Sequence, residues 1–246
     1  LRGMQGETML HWAALSDSAL TLDLLAAGFD FQTVDGSGRA PLDWLFERLW
    51  MTHMEGVGNL TALNLRKLRL QSDDLAMLLW RQGARRATQD FDERLLSARC
   101  GMWKFLETVA DLEGLPGAWS NLEGSNTVLH GLAQSPDEKG RDRLLALWKN
   151  ATQSVDVTNA MGHTPLGSAV SHRLSLPADK PLAIAAVDDW IAALVNAGAD
   201  PNYSSEGAAF PASLPLLNGA PPLVCDAIEA LLNSESAVDE GNLPLS

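Results

Sequence analysis

Apolar positions along this chain fall at helical spacings, and they come as pairs of short stretches separated by turn residues. The first pair is Met9-Leu10-His11-Trp12-Ala13-Ala14 and then Leu22-Asp23-Leu24-Leu25-Ala26-Ala27-Gly28. The second member recurs at Leu75-Ala76-Met77-Leu78-Leu79-Trp80, before Gly83, and at Ile191-Ala192-Ala193-Leu194-Val195, before Gly198. Apolar residues three and four apart predict amphipathic helices. A glycine just past the last of them suits the left-handed residue with which helices often stop.

The first member of each pair recurs as well. Gly6-Glu7-Thr8-Met9-Leu10-His11-Trp12-Ala13-Ala14 is followed 32 residues on by Gly38-Arg39-Ala40-Pro41-Leu42-Asp43-Trp44-Leu45. Further copies are Asn126-Thr127-Val128-Leu129-His130-Gly131-Leu132-Ala133 and Gly162-His163-Thr164-Pro165-Leu166-Gly167-Ser168-Ala169, with a worn one at 207–213. Thr8, Thr127 and Thr164 are placed to cap a helix, and Pro41 and Pro165 suit its first position, where no N–H is needed. Ala13, Ala14 and Ala169 are small enough for paired helices to approach closely. Such a pair cannot bury its apolar face alone, so neighbouring pairs must stack into one core.

These two motifs, recurring in order, resemble the ankyrin-repeat family: a Gly-x-Thr-Pro-Leu-His-x-Ala-Ala opening helix, then a helix ending Leu-Leu-x-x-Gly-Ala-Asp-x-Asn. Ile191 to Asn202 is the clearest copy of the second motif. The resemblance covers roughly residues 5 to 233, with 85–121 only loosely matched. It implies an all-α fold, an ankyrin-repeat solenoid of stacked helix-turn-helix repeats with short β-hairpin fingers. The expected organisation is one elongated domain, with repeats near 5–35, 36–88, 89–121, 122–158, 159–203 and 204–233 and a loose acidic tail over 234–246.

The departures from the pattern are two insertions. Leu10 to Leu24 is 14 residues, Leu42 to Leu78 is 36, and Leu166 to Leu194 is 28. The first insertion falls between Trp50 and Ser72, and its Leu-rich end, Leu60 to Leu70, reads as helix. The second, Ser171 to Ala183, contains Pro177 and Pro181 and reads as loop. Short helices are expected from Phe91 to Cys100 and from Met102 to Ala110.

Composition adds little until charge is placed along the chain. The net charge is −13. From Pro181 onward there is no Lys or Arg, against Asp188, Asp189, Asp200, Glu206, Asp226, Glu229, Glu235, Asp239 and Glu240. Leu60 to Lys104 reverses the balance. An acidic C-terminal quarter repels nucleic acid and anionic membrane and attracts a basic partner at long range; the bland reading is a solvated face. No apolar run approaches the roughly 18 residues of a membrane helix, and Leu1 to Leu10 lacks the apolar core of a signal peptide. A cytoplasmic protein is expected, with the periplasm open if a leader has been removed. Cys100 and Cys225 lie 125 positions apart, away from metal-ligand spacings, and read as buried free thiols.

Candidate chemistry is sparse. The resemblance gives His11 and His130 a structural role, hydrogen-bonding neighbouring backbone, while Asp43 stands where the second repeat would carry that His. No His-Glu-x-x-His or Gly-x-Ser-x-Gly string is present. Asp35-Gly36-Ser37-Gly38 reads as turn chemistry rather than a phosphate loop, which would need a following Lys-Ser/Thr. No catalytic residue, metal or cofactor is expected. Of the eight tryptophans, Trp12, Trp44, Trp80 and Trp190 read as packing, and exposed anchors are sought among Trp50, Trp103, Trp119 and Trp148.

The resemblance implies protein binding on a concave surface of finger tips and first helices. The family's contact positions map to Glu7, Ser16, Arg39, Glu47, Arg48, Met161, His163, His172 and Glu206, with Phe31 as an aromatic anchor beside the first finger. The expected function is a non-catalytic interaction module that binds and neutralises one partner, such as an immunity-type protein against a bacterial toxin with a basic surface. A translocated bacterial effector that binds a host protein, or an adaptor module of a larger protein, is the alternative. A monomer or a 1:1 complex is expected, without nucleic acid or membrane.

Overall fold

The computed structural model describes residues 3–16, 18–54, 62–88, 92–114, 119–120, 122–135, 138–151, 154–201 and 222–230. The chain divides into two compact units, residues 1–114 and 115–246. The fold is all-α: among the described residues there is no strand, and Leu122 and Asn126 form an isolated antiparallel bridge. Tight turns lie at 35–39 and 159–163, where fingers were expected.

The first unit contains α1 (Met9–Ser16), α2 (Ser18–Ala26), α3 (Pro41–Met54), α4 (Ala62–Arg81), α5 (Glu93–Cys100) and α6 (Trp103–Glu113). They pack as pairs, α1 with α2, α3 with α4 and α5 with α6. The first helices also pack in a row, α1 on α3 and α3 on α5, and the second helices do the same, α2 on α4 and α4 on α6. Leu10 and Ala13 from α1, Leu42, Leu45 and Phe46 from α3, Leu75 and Leu79 from α4, and Phe105 and Leu106 from α6 are buried between the rows. Phe105 joins three helices, with its ring edge-on to Phe46 at 5.4 Å and to Trp80 at 5.2 Å.

The second unit contains α7 (Val128–Leu132), α8 (Glu138–Ala151), α9 (Pro165–Ser175) and α10 (Pro181–Asn196), with residues 222–230 also helical. Here α7 packs on α9, α8 on α10, and α9 on α10. Trp119, Trp148 and Trp190 are its largest wholly buried side chains.

Four helices end in the same way, and the local sequence explains it. Gly28, Gly83, Gly101 and Gly198 have φ of 82°, 91°, 74° and 98°. After α2, Gly28 N–H donates to Leu25 O and Phe29 N–H to Leu24 O; Gly83 and Ala84 do this after α4, Gly101 and Met102 after α5, Gly198 and Ala199 after α10. This paired closure satisfies the last carbonyls of each helix and needs a residue at ease with positive φ.

Much of what is described of the two insertions is helix. In the first, α3 runs to Met54 and α4, of 20 residues, begins at Ala62, with 55–61 outside the described residues. The second was expected as a loop across Ser171 to Ala183, and the structure corrects this: α9 runs to Ser175 and α10 starts at Pro181, which leaves 176–180 as the connection. Pro181 is compatible because the first helical position has no N–H to lose. The short helices of the third pair lie close to expectation, at Glu93–Cys100 and Trp103–Glu113. The worn opening at 207–213 and the tail 234–246 fall outside the described residues.

Candidate protein-binding surface

Three side chains tie each opening helix to the turn that follows it. In the first unit, His11 Nδ1 lies 3.0 Å from Thr8 N and 2.9 Å from Thr8 Oγ1, and His11 Nε2 lies 2.9 Å from Arg39 O. A backbone N–H only donates and a carbonyl only accepts, so Nδ1 is the bare nitrogen and Nε2 carries the hydrogen. The second unit repeats this: His130 Nδ1 with Thr127 N at 3.0 Å and Oγ1 at 2.9 Å, Nε2 with His163 O at 3.0 Å. Burial disfavours a charged ring and brings the pKa of His130 down to about 4.

The turns themselves are built alike. Asp35 Oδ1 accepts the amides of Ser37 and Arg39, as Asn159 Oδ1 accepts those of Met161 and His163. Gly36 N–H donates to Gln5 O, and Ala160 N–H to Gly124 O. Gln5 and Gly124 each lie three residues before the capping threonine, so the two units share one junction in one register.

Asp43 makes the third tie with reversed polarity. Its Oδ2 accepts Ala40 N–H at 2.8 Å, as His11 Nδ1 accepts Thr8 N–H. Beyond its own helix it again accepts, from Ala87 N at 2.8 Å, Thr88 N at 3.2 Å, Thr88 Oγ1 at 2.8 Å and Arg86 Nε at 3.0 Å. A histidine donates to a carbonyl there; Asp43 collects donors instead. Its role is to join α3 to the segment 84–88.

The ties present one face of α1 and α3 outward. Met9 and Trp12 on α1 are 44% and 56% exposed, and Met51 on α3 is 47% exposed. Trp12 stands edge-on against Trp44, ring centroids 5.2 Å apart. The expectation that Trp12 is core packing is therefore corrected: it is stacked, but on the surface. Trp44 donates its indole N–H to Asp35 Oδ2 at 2.9 Å and lies 5.4 Å beneath the Arg39 guanidinium. Arg39 donates Nε and Nη2 to Asp35 Oδ2 and Nη1 to Glu47 at 2.7 Å. Burial alone would push the Asp35 carboxyl up. Hydrogen bonds from the Arg39 and Ser37 amides, the Trp44 indole and the Arg39 guanidinium outweigh it and bring the carboxyl to about 2.

Of the expected contact residues, Arg39, Glu47 and Arg48 come together on this face. Arg48 is exposed and donates Nη1 to Leu15 O. Glu7 precedes α1, with its carboxylate accepting the Gln5 amide at 2.8 Å. Phe31 is half-buried against the cluster of Leu10, Ala13 and Leu24. Met161 is 65% exposed on the second turn, while His163 beside it is buried. His172 is half-buried on α9. The side chain of Ser16 and the whole of Glu206 lie outside the described residues.

Of the other tryptophans among which anchors were sought, two are corrected to core. Trp119 and Trp148 are wholly buried, and Trp148 donates its N–H to Ser154 O at 2.8 Å; Trp50 and Trp103 are half-buried. Cys100 is buried, and burial pushes its thiol up to about 11, which disfavours the reactive thiolate. Cys225 is half-buried rather than buried. Among the described residues no three His, Cys, Asp or Glu side chains are grouped as a metal requires, and no helix is long and apolar enough to cross a membrane.

Asp73 is a residue that pattern reading does not single out. It sits within α4, yet its carboxylate accepts Phe105 N–H at 2.8 Å and Lys104 N–H at 3.2 Å, capping α6 from another helix. The paired Asp74 binds Lys104 Nζ at 2.7 Å. Nothing in the sequence spacing joins Asp73 to the Trp103-Lys104-Phe105 helix start. The chain matches no family model and no curated protein.

Proposed function

We propose that this chain is a non-catalytic, partner-binding module of ankyrin-type repeats, and that its binding face is the outward side of α1 and α3. One observation carries the reading: the half-exposed indole of Trp12, backed by Trp44, on helices that also expose Met9 and Met51. A large aromatic side chain held rigidly at the surface is what protein interfaces use as an anchor. Monomer surfaces rarely spend several Met and Trp side chains on one face without a partner to cover them.

The repeat reading is supported by the shared junction. The same threonine cap, histidine bridge and Asx-type turn occur in both units in the same register. The finer function is that of a stoichiometric inhibitor, an immunity-type protein that occludes a toxic partner. The net charge of −13 favours a partner with a basic surface.

The test is affinity capture from an extract of the source cells with the whole chain and with Trp12→Ala. A protein retained by the first, lost by the second, and neutralised in a toxicity assay by co-expression of this chain supports the reading. A partner captured equally by both forms refutes this face.

A further inference from the structure

We propose that the turn 3–7 and the outer side of α1–α2 form a docking end for one more helix pair of the same repeat type, a pair carrying a histidine where α1 carries His11. This end draws on neither Trp12 nor Trp44.

The turn is built like the two already described. Gly3 N–H donates to Glu7 O at 2.7 Å, Asp35 N–H to Arg39 O at 2.9 Å and Asn159 N–H to His163 O at 2.9 Å. Gly6, Gly38 and Gly162 donate back to the carbonyls of Gly3, Asp35 and Asn159, with φ of 81°, 80° and 79°. Gly3 lacks the side-chain acceptor of Asp35 and Asn159. Glu7 supplies it, its carboxylate taking the Gln5 amide as Asp35 takes that of Ser37 and Asn159 that of Met161. In the later turns two backbone groups join the pair in front. Gly36 N–H reaches Gln5 O, and Arg39 O receives His11 Nε2–H. Ala160 N–H reaches Gly124 O, and His163 O receives His130 Nε2–H. The same two groups in the first turn are Met4 N–H and Glu7 O, and Met4 is fully exposed.

Side-chain burial marks the same end. The opening helix starts with Met9 in α1, Pro41 in α3 and Pro165 in α9. Eight residues before the closing glycine stand Leu20 in α2, Leu75 in α4 and Trp190 in α10. Pro41 and Pro165 are buried, Leu75 and Trp190 are each 1% exposed, and all four belong to pairs with another pair packed before them. Within the first unit no described pair precedes α1–α2, and there Met9 is 44% and Leu20 39% exposed. Apolar positions of this kind are covered by stacking of the neighbouring repeat.

The two backbone groups decide the occupant. The Glu7 carbonyl calls for a donor, which His11 and His130 supply at the other turns and a carboxylate such as Asp43 cannot. The helices α1 and α2 carry one charged residue, Asp23, so this side selects by apolar fit and not by the sign of charge. A second copy of this chain would have to withdraw His11 or His130 from a joint already made.

The test joins an added copy of residues 122–158 to Gly3 of the otherwise whole chain, so that Gly3 follows it as Asn159 does in the parent. The graft is expected to slow exchange of the Met4 amide about tenfold or more, and peroxide oxidation of Met9 about threefold or more. With His130→Ala in the added copy, the Met4 protection is expected to shrink about threefold or more. A second graft, residues 5–34 joined to Gly3, repeats the Met4 measurement with the His11 pair, and far-ultraviolet circular dichroism shows whether each added pair is helical. A helical graft that leaves Met4 exchange unchanged, or two grafts that both stay unfolded, would overturn the proposal. So would a parent chain that light scattering finds dimeric with Met4 already protected, since a second copy then holds this end.

Discussion

Asp43 gives the sharpest test of the junctions, because the histidine found at the equivalent positions 11 and 130 should fail there. In Asp43→His, Nδ1 can accept the Ala40 amide as His11 accepts that of Thr8. The remaining partners are wrong in sign. Nε2–H would face the amides of Ala87 and Thr88 and the guanidinium of Arg86, donors against a donor. Arg86 and Asp43 are both nearly buried, at 4% and 2% side-chain exposure. Removing one partner of a buried pair costs about 3–5 kcal/mol, and each stranded buried amide about 1–3 kcal/mol. Part of this is recovered by relaxation and by Glu93, 3.8 Å from Arg86. A loss of about 4 kcal/mol is therefore expected, a large share of the 5–15 kcal/mol that holds a typical domain together. Urea unfolding followed by far-ultraviolet circular dichroism measures the total. Amide exchange at Ala87 and Thr88 reads the junction itself, where protection should fall about a hundredfold or more. Asp43→Asn keeps one acceptor oxygen and should lose less than Asp43→His. If Asp43→His lies within about 1 kcal/mol of the parent with Ala87 and Thr88 still protected, the polarity argument is wrong.

Three further outcomes follow from the same geometry. His130 titrates near 4 when folded and near 6.5 when unfolded, so its contribution is complete above pH 6.5 and is lost as pH falls towards 4. The loss is about 3 kcal/mol in the second unit, and His130→Gln should flatten the pH dependence of exchange there. Asp73 runs oppositely: burial lifts its carboxyl to about 7 from an ordinary 3.8, so its share of stability is present at low pH and declines as pH rises from 4 to 7. Asp73→Asn should remove that decline in the exchange of the α6 amides. In Gly36→Ala the new methyl would sit 2.7 Å from Gln5 O, so the turn must retreat and release the Gly36 amide; a destabilisation of about 1–2 kcal/mol by urea midpoint is expected.

What could be read from the sequence was whatever a few neighbouring residues decide. Gly28, Gly83 and Gly198 end helices because the left-handed residue and its two hydrogen bonds are local. Thr164 caps α9, and Asp35 closes its turn, within four residues. What misled was anything set by a distant neighbour. Trp12 and Trp44 hold equivalent positions, yet Trp44 is half-buried beneath Arg39 and Trp12 is 56% exposed, a difference the repeat pattern does not carry. The prolines at 177 and 181 suggested a loop across the insertion, but a proline at a helix start is permissive, and α10 begins on it. Asp73 is an acid inside a helix until Phe105 arrives from 32 residues away.

The reversed tie at Asp43 has a consequence for how such a chain can be rearranged. A segment headed by His11 or His130 must be followed by one that offers a carbonyl, as Arg39 and His163 do. Asp43 must instead meet a stretch that offers amides and a guanidinium, as 86–88 at the end of its own segment does. The two kinds of joint are keyed, like plugs of opposite sex, and cannot be interchanged. Exchanging 5–35 with 122–158 is expected to keep a carbonyl opposite each histidine, whereas replacing 86–88 with a carbonyl-bearing turn is expected to leave Asp43 facing an acceptor. The pairing of α3 with 86–88 is thus locked by chemistry that a single carboxylate introduced.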